Sequence, residues 1–182
     1  MSEALSSGRI ALRRWRDEDR PLFAAMNADP RVMEFFPSTL DRRQSDAIID
    51  RIEANFDKRG FSLWAVEVPG VASFIGFAGL AVPDFTAPFT PCVEIGWRLA
   101  AEHWGRGYAT EAARLALDHG FRILAFPEIV AFTAVANRRS RAVMERLGMR
   151  YNPADDFDMP TLPENHTLRR HVLYRLSSTS TV

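Results

Sequence analysis

His103-Trp104-Gly105-Arg106-Gly107-Tyr108-Ala109-Thr110-Glu111-Ala112 joins two different patterns. Before it, Cys92 to Leu99 alternates Val93, Ile95 and Trp97 against Glu94, Gly96 and Arg98, the period of a strand. After it, Thr110 to Phe126 reads as a long helix. Two glycines and an arginine therefore sit where a strand turns into a helix. A helix start offers unpaired backbone N–H groups and the positive end of a macrodipole, which suits an anion. Gly105 and Gly107 carry no Cβ, so a phosphate can approach the backbone. Arg106 adds a charged donor beside it. The segment reads as a site for the diphosphate of a nucleotide-like cofactor. On the glycines alone, a tight turn with no ligand reads equally well. Two other phosphate fingerprints are missing. Lys58 is the only lysine and follows no P-loop glycines, and no Gly-x-Gly-x-x-Gly stands near the N-terminus.

The chain of 182 residues is long enough for one domain with a substantial core. Hydrophobic residues at 47% and charged residues at 25% describe a soluble globular protein, not a membrane or disordered one. A formal net charge of zero gives no electrostatic reason to expect nucleic acid. Cys92 is the single cysteine, so no internal disulfide forms, and no Cys/His cluster has metal-ligand spacing. The expectation is no metal, no membrane association and a reducing cytoplasm. Met1 to Gly8 is polar, lacks a signal core and reads as a flexible N-terminus; 177–182 reads as a flexible tail. The domain is expected over 9–176.

Arg9 to Trp15 reads as a first strand, and Asp17 as the cap of a helix from Glu18 to about Asn27. Asp29-Pro30 breaks that helix. Asp41 to Lys58 is the next, with Ile48, Ile49, Ile52 and Phe56 at helical spacing and Arg59-Gly60 as the stop. Phe61–Val68 and Ser73–Val82 form a hairpin around Pro69-Gly70. A proline-rich loop, Pro83 to Pro91, leads to Cys92. Beyond the glycine turn, Glu128 to Ala134 is a strand, and Arg138 to Leu147 is a helix capped by Gly148. Met149 to Asn152 and Thr167 to Leu176 are the last strands, with a polar, acidic loop from Pro153 to His166 between them. The order is β-α-α-β-β-β-α-β-α-β-β. It specifies an α/β domain with a mixed, mostly antiparallel central sheet and about four flanking helices.

This order, with a glycine turn between the fourth strand and the third helix, resembles the GNAT superfamily of N-acetyltransferases. Trp104-Gly105-Arg106-Gly107-Tyr108-Ala109 is similar to the family's loop for the acetyl-CoA pyrophosphate. Asn137-Arg138-Arg139-Ser140, then Met144-Glu145-Arg146-Leu147-Gly148-Met149, resembles its second cofactor segment. Leu12-Arg13 followed by Asp17-Glu18-Asp19 resembles its opening strand and helix. The nearest branch in form is that of the ribosomal-protein N-terminal acetyltransferases. There are two departures. Trp104 stands where the wider family has Gln or Arg. Met144 stands where many members have a tyrosine that protonates the departing thiolate. In this branch that role is assigned to the serine matching Ser140.

The resemblance implies acetyl-CoA as co-substrate and a primary amine as acceptor, on a small molecule or a protein N-terminus. The cofactor would be held by Trp104, Gly105, Arg106, Gly107, Tyr108, Ala109 and Thr110, by Asn137 and Ser140, and by the backbone of Trp97, Arg98 and Leu99 acting as one side of an added strand. Acetyl transfer needs a base, because an ammonium has no lone pair. Glu94 is the candidate, opposite the bulky face and next to the cofactor loop. The competing reading pairs it with a cross-strand arginine at the surface. His103 is a second base candidate, with a solvated loop position as its alternative. Glu111, in a first helical turn, reads as structural. Asn137 reads equally as a helix cap, and Ser140 as a plain first-turn serine. For the acceptor, Phe35, Phe36 and Pro37 read as core or as an aromatic wall. Asp155, Asp156, Asp158 and Glu164 read as a solvated loop or as a rim attracting an ammonium. Cys92 lies outside the turn, so direct transfer is expected. A non-catalytic acyl-CoA-binding protein of the same fold and a nucleotide-binding module remain as alternatives. A homodimer is common in families like this.

Overall fold

The computed structural model describes residues 4–178. β1 (Leu5–Ser6) and β2 (Ala11–Arg13) make a short antiparallel ribbon at one sheet edge. α1 (Asp19–Ala28) and α2 (Arg42–Arg59) follow. α2 starts with a reciprocal cap: the Gln44 amide donates to the Asp41 carboxylate at 2.7 Å, and the Asp41 amide donates to the Gln44 side chain at 2.9 Å. β3 (Leu63–Val68), β4 (Ala72–Ala81) and β5 (Glu94–Leu99) form a meander. α3 (Tyr108–Asp118) leads to β6 (Glu128–Ala134), and α4 (Arg138–Arg146) to β7 (Arg150–Tyr151). β8 (Phe157–Asp158) and β9 (Arg170–Ser177) close the chain.

The nine strands make one sheet in the order β1-β2-β3-β4-β5-β6-β9-β7, with β8 also paired to β9. Every pairing is antiparallel except β5 with β6. This is the mixed, mostly antiparallel sheet with four α-helices that the sequence predicts. On one face Phe23 of α1 packs edge-on to Trp15, with ring centroids 5.0 Å apart, and 6.0 Å from Phe77 of β4. α3 buries Ala112, Ala113 and Ala116 completely, and such small side chains let a helix lie close to a sheet. A separate aromatic cluster of Phe85, Phe89, Phe132 and Phe157 anchors the proline-rich loop.

Three local expectations change. Asp17 does not cap α1: its carboxylate pairs with Arg20, and Glu18 at the cap position makes no side-chain cap. Asp19 is the structural acid instead. It accepts the Arg16 amide at 2.8 Å and both terminal nitrogens of Arg13 at 2.8 and 2.9 Å. The helix expected over Thr110 to Phe126 is α-helical only to Asp118, then widens into one π-helical turn, His119–Ile123. Gly120 in that turn packs so closely that a Cβ would lie 2.7 Å from Ile129 Cδ1. Parts of the two expected flexible ends are in the sheet. Leu5–Ser6 pairs with β2, and Ser177 is the last residue of β9. Positions 1–3 and 179–182 lie outside the described residues. The described residues contain no helix long and apolar enough to cross a membrane, and no cluster of potential metal ligands.

Candidate active site

β5 is laddered on one side and open on the other. With β4 it makes six consecutive pairs, from Gly76↔Leu99 to Ala81↔Glu94. With β6 it makes a single pair, Glu94↔Val130. The Ala100 amide donates to the Ile75 carbonyl, and the Val130 amide to the Val93 carbonyl, both at 2.9 Å. Backbone direction alternates along a strand, so the even-numbered residues of β5 address β4 and the odd-numbered ones face the gap beyond Glu94. The parallel pair Glu94↔Val130 ties the Ile95 amide to the Val130 carbonyl, so the Ile95 carbonyl and the backbone groups of Trp97 point into the opening. Leu99 faces it too, but its carbonyl accepts the Trp104 indole N–H at 2.8 Å. This corrects the expected ligand edge. The backbone of Arg98 turns toward Phe77 of β4, and the Ile95 carbonyl stands on the open side instead.

At the far end of the opening stands the glycine turn. Gly105 and Gly107 have φ of 74° and 82°, the left-handed region where a side chain is strained. Absence of a Cβ thus serves the backbone turn as well as access. A Cβ on Gly105 would meet nothing within 4 Å, and one on Gly107 only Arg9 Nη2 at 3.6 Å. Gly107 begins α3 without a side-chain cap, and the first helical bond runs from the Glu111 amide to the Gly107 carbonyl at 3.1 Å. The amides of Tyr108, Ala109 and Thr110 precede that bond and remain available to an anion. The side chains of Tyr108 and Thr110 are buried, so their contribution to a ligand is backbone. Arg106 is exposed. The sequence reading missed Arg9, which lies over the Tyr108 ring at 5.4 Å and donates to Glu111 through Nε at 2.9 Å. Burial pushes the Glu111 carboxyl up, but bonds from Ser7 and Arg9 outweigh it and hold the carboxyl below its usual range. Glu111 is thereby the structural residue expected.

Glu94, Gly96 and Arg98 share the face of β5 opposite the buried Ile95 and Leu99. The cross-strand neighbours of Glu94 are Ala81 and Val130, so no arginine pairs with it. The residue is half-buried and its carboxyl lies deep. Desolvation, with a smaller push from Asp84, raises its pKa to about 7. A Cβ added at Gly96 would meet nothing within 4 Å, so open space lies above this strand face. Arg98 donates through Nη1 to the Asn27 side-chain carbonyl at 2.7 Å, and its guanidinium sits 4.0 Å from the Phe36 ring centroid. Phe36 and Phe35 are outside the core. Phe36 is 39% exposed, and Phe35 faces the Arg139 guanidinium at 5.6 Å, which also stacks over Trp104 at 4.6 Å. The pair forms a wall beside the opening, with Pro37 exposed next to it.

Across the gap, Asn137 caps α4. Its side-chain oxygen accepts the Ser140 amide at 3.2 Å, and its Nδ2 donates to Thr133 Oγ1 at 3.0 Å and Ser140 Oγ at 3.2 Å. The capping reading accounts for its bonds, while Ser140 keeps a hydroxyl proton to give. Met144 is buried in the core. α4 ends at Gly148, φ 76°, with the Met149 amide donating to the Met144 carbonyl at 3.1 Å. His103 Nδ1 is buried without a partner in the 3-10 turn Ala101–His103. The expected acidic rim is not free. Arg175 holds Asp155 at 2.9 Å, Arg170 holds Asp158 at 3.2 Å, and Tyr151 donates to Asp156 at 3.1 Å. Only the exposed Glu164 lacks such a contact among the described residues.

Residues 9–150 match the family model for the acetyltransferase (GNAT) domain. The uncharacterized protein YkkB of Bacillus subtilis (strain 168) is 37% identical over 149 residues, covering 81% of this chain and 86% of that protein. The crystal structure of an acetyltransferase from Agrobacterium tumefaciens str. C58 superposes with a TM-score of 0.76 at 27% identity, covering 97% of this chain and 95% of that one. Mycobacterium smegmatis RimJ, solved in complex with CoA-disulfide, shares the fold at a TM-score of 0.75 and 21% identity, over 94% of this chain and 83% of that one.

Proposed function

The chain belongs to the GNAT acetyltransferase family and is an N-acetyltransferase, and on that premise we propose that it moves the acetyl group of acetyl-CoA directly to a primary amine, with Glu94 as the base. The observation that carries this reading is the position of Glu94. It stands at the one pair that joins β5 to β6, where the strands part, and no cation among the described residues forms an ion pair with it. The RimJ neighbour is solved with CoA-disulfide. Here the free amides of Tyr108, Ala109 and Thr110 with Arg106 would bind the diphosphate, and the open Ile95 carbonyl and Trp97 backbone the amide-bearing arm of the same molecule.

Within that arrangement Glu94 takes a proton from the acceptor ammonium. The freed lone pair forms the N–C bond as the C–S bond breaks. Ser140 is the candidate to return a proton to the leaving sulfur, since Met144 cannot. Cys92 is not a nucleophile in this scheme. Burial, then the nearby Glu94, push its thiol up to about 11, so it stays protonated near neutral pH. Mass spectrometry of an amine panel incubated with acetyl-CoA tests the reading. Wild-type protein should add an acetyl group to at least one amine, and Glu94→Gln should slow turnover by about 100-fold or more with acetyl-CoA affinity unchanged. Turnover within a few-fold of wild type would remove Glu94 from this role.

A further inference from the structure

Arg98 is a half-buried cation near the opening that the transfer reaction leaves unused. Its Nε is buried with no hydrogen-bond partner. Its protein contacts are a neutral amide oxygen, Asn27 Oδ1, and the faces of Phe36 and Phe77, at 4.0 and 5.4 Å. No carboxylate among the described residues forms an ion pair with it. Burial alone pulls its pKa down to about 10, with no offsetting anion. A desolvated guanidinium in a folded protein normally holds a carboxylate or phosphate, because its donors form a fork matched to two oxygens. Asn27 is itself fixed: its Nδ2 donates to Ser45 Oγ at 3.1 Å, and Ser45 Oγ donates to the Asp41 carbonyl at 2.9 Å. The guanidinium is therefore positioned by a chain of bonds from α1 and α2, with donor capacity left over.

Arg98 also shares a strand face with Glu94, and the space above the intervening Gly96 is open. The strand rise separates the two Cα atoms by about 13 Å. One small molecule with an amine at one end and an oxyanion at the other can meet both side chains. We propose that Arg98 is the specificity residue of the acceptor site and that the acceptor is an amine carrying a carboxylate. This rests on the acetyl-transfer reading of the same site. A bare polyamine would meet the guanidinium with like charge, and a peptide N-terminus would offer only a carbonyl, which Asn27 already supplies.

The test compares glycine, β-alanine and γ-aminobutyrate with their carboxamides as acceptors of acetyl-CoA. The acids should exceed the amides in kcat/KM by about 10–100-fold, the worth of a charge-assisted bond pair. Arg98→Gln should close that gap through KM, and Arg98→Lys should recover part of it. Equal use of acids and amides by wild type, or a preference that survives Arg98→Gln, overturns the proposal while acetyl transfer stands. If no amine is acetylated, the transfer reading falls, and binding decides the anchor separately. With CoA present, β-alanine should raise the melting temperature of wild type but not of Arg98→Gln, and no shift in wild type overturns the anchor. A purely structural arginine would betray itself by stability. Arg98→Met should melt at or above the wild-type temperature, because an unpaired desolvated charge is removed, and a fall of several degrees contradicts a ligand role.

Discussion

Two arginines lie on the same sheet in opposite circumstances. Arg13 of β2 is closed in by anions: Asp19 at 2.8 Å and Glu67 at 2.7 Å. Its pKa is raised, first by Asp19 against the cost of burial, then by Glu67. Arg98 of β5 has an amide and two rings, and burial goes unanswered. The Arg13 corner ties the edge strand, α1 and β3 together and is complete without any other molecule. The Glu94–Arg98 face carries two charged groups that nothing in the described chain neutralises. Charge left unpaired at a desolvation cost is retained for something other than folding.

The largest break in this comparison comes from the closed corner. Asp19→Ala takes two charge-assisted bonds from a buried guanidinium that keeps Glu67, and should cost about 3 kcal/mol, lowering the melting temperature by about 6–10 °C, measured calorimetrically. Turnover per folded molecule at low temperature should hardly change. On the open face the pattern inverts. Glu94→Gln should lose about 100-fold in turnover and none in stability. The pKa of about 7 for Glu94 fixes two signs. Activity should fall as pH drops below about 7, roughly tenfold per unit, because the base is protonated. The native carboxyl binds its proton more tightly than the unfolded one, so its contribution to stability is present at low pH and declines as pH rises toward about 7. Glu94→Gln should erase both slopes.

Between the two extremes lies Gly107→Val, which places a β-branched residue at φ 82°. A cost of about 1–2 kcal/mol in the melting curve is expected, with at least about tenfold weaker acetyl-CoA binding by titration calorimetry. Normal binding would move the diphosphate elsewhere. The smallest effect sharpens the comparison from the rim. Asp155, Asp156 and Asp158 already have partners, so replacing all three with Asn should change an acceptor KM by less than about twofold, with little dependence on salt. A large rise would reinstate the loop as an attracting surface.

Periodicity and punctuation made the fold legible. Asp41, Gly60, Gly107 and Gly148 mark helix ends through local chemistry that needs no distant partner. Glu94 was legible because alternation alone sets its face. The same alternation placed Arg98 beside it. Only the structure reveals that its side chain lacks an anion, because Asn27 is 71 positions away in the chain. Arg9, 102 positions from Glu111, was hidden for the same reason. The acidic loop misled because composition counts charges and is blind to Arg170 and Arg175 folding back on them. Asp19 was passed over for Asp17 because a cap is a local signal and a buried ion pair is not.

The single pair between β5 and β6 has a kinetic consequence for the amide protons around it. Trp97 presents its N–H group to a slot with no strand opposite it, while 96 and 98 are locked to β4 and the Ile95 amide to Val130 of β6. Hydrogen–deuterium exchange should therefore single out one amide of this strand in the free protein, fast at 97 and slow at 95, 96 and 98. A molecule lying in the slot acts as a temporary tenth strand. It should slow exchange at that amide and fasten the β6–β9 half to the β1–β5 half, so that occupancy is read directly as cooperativity of unfolding.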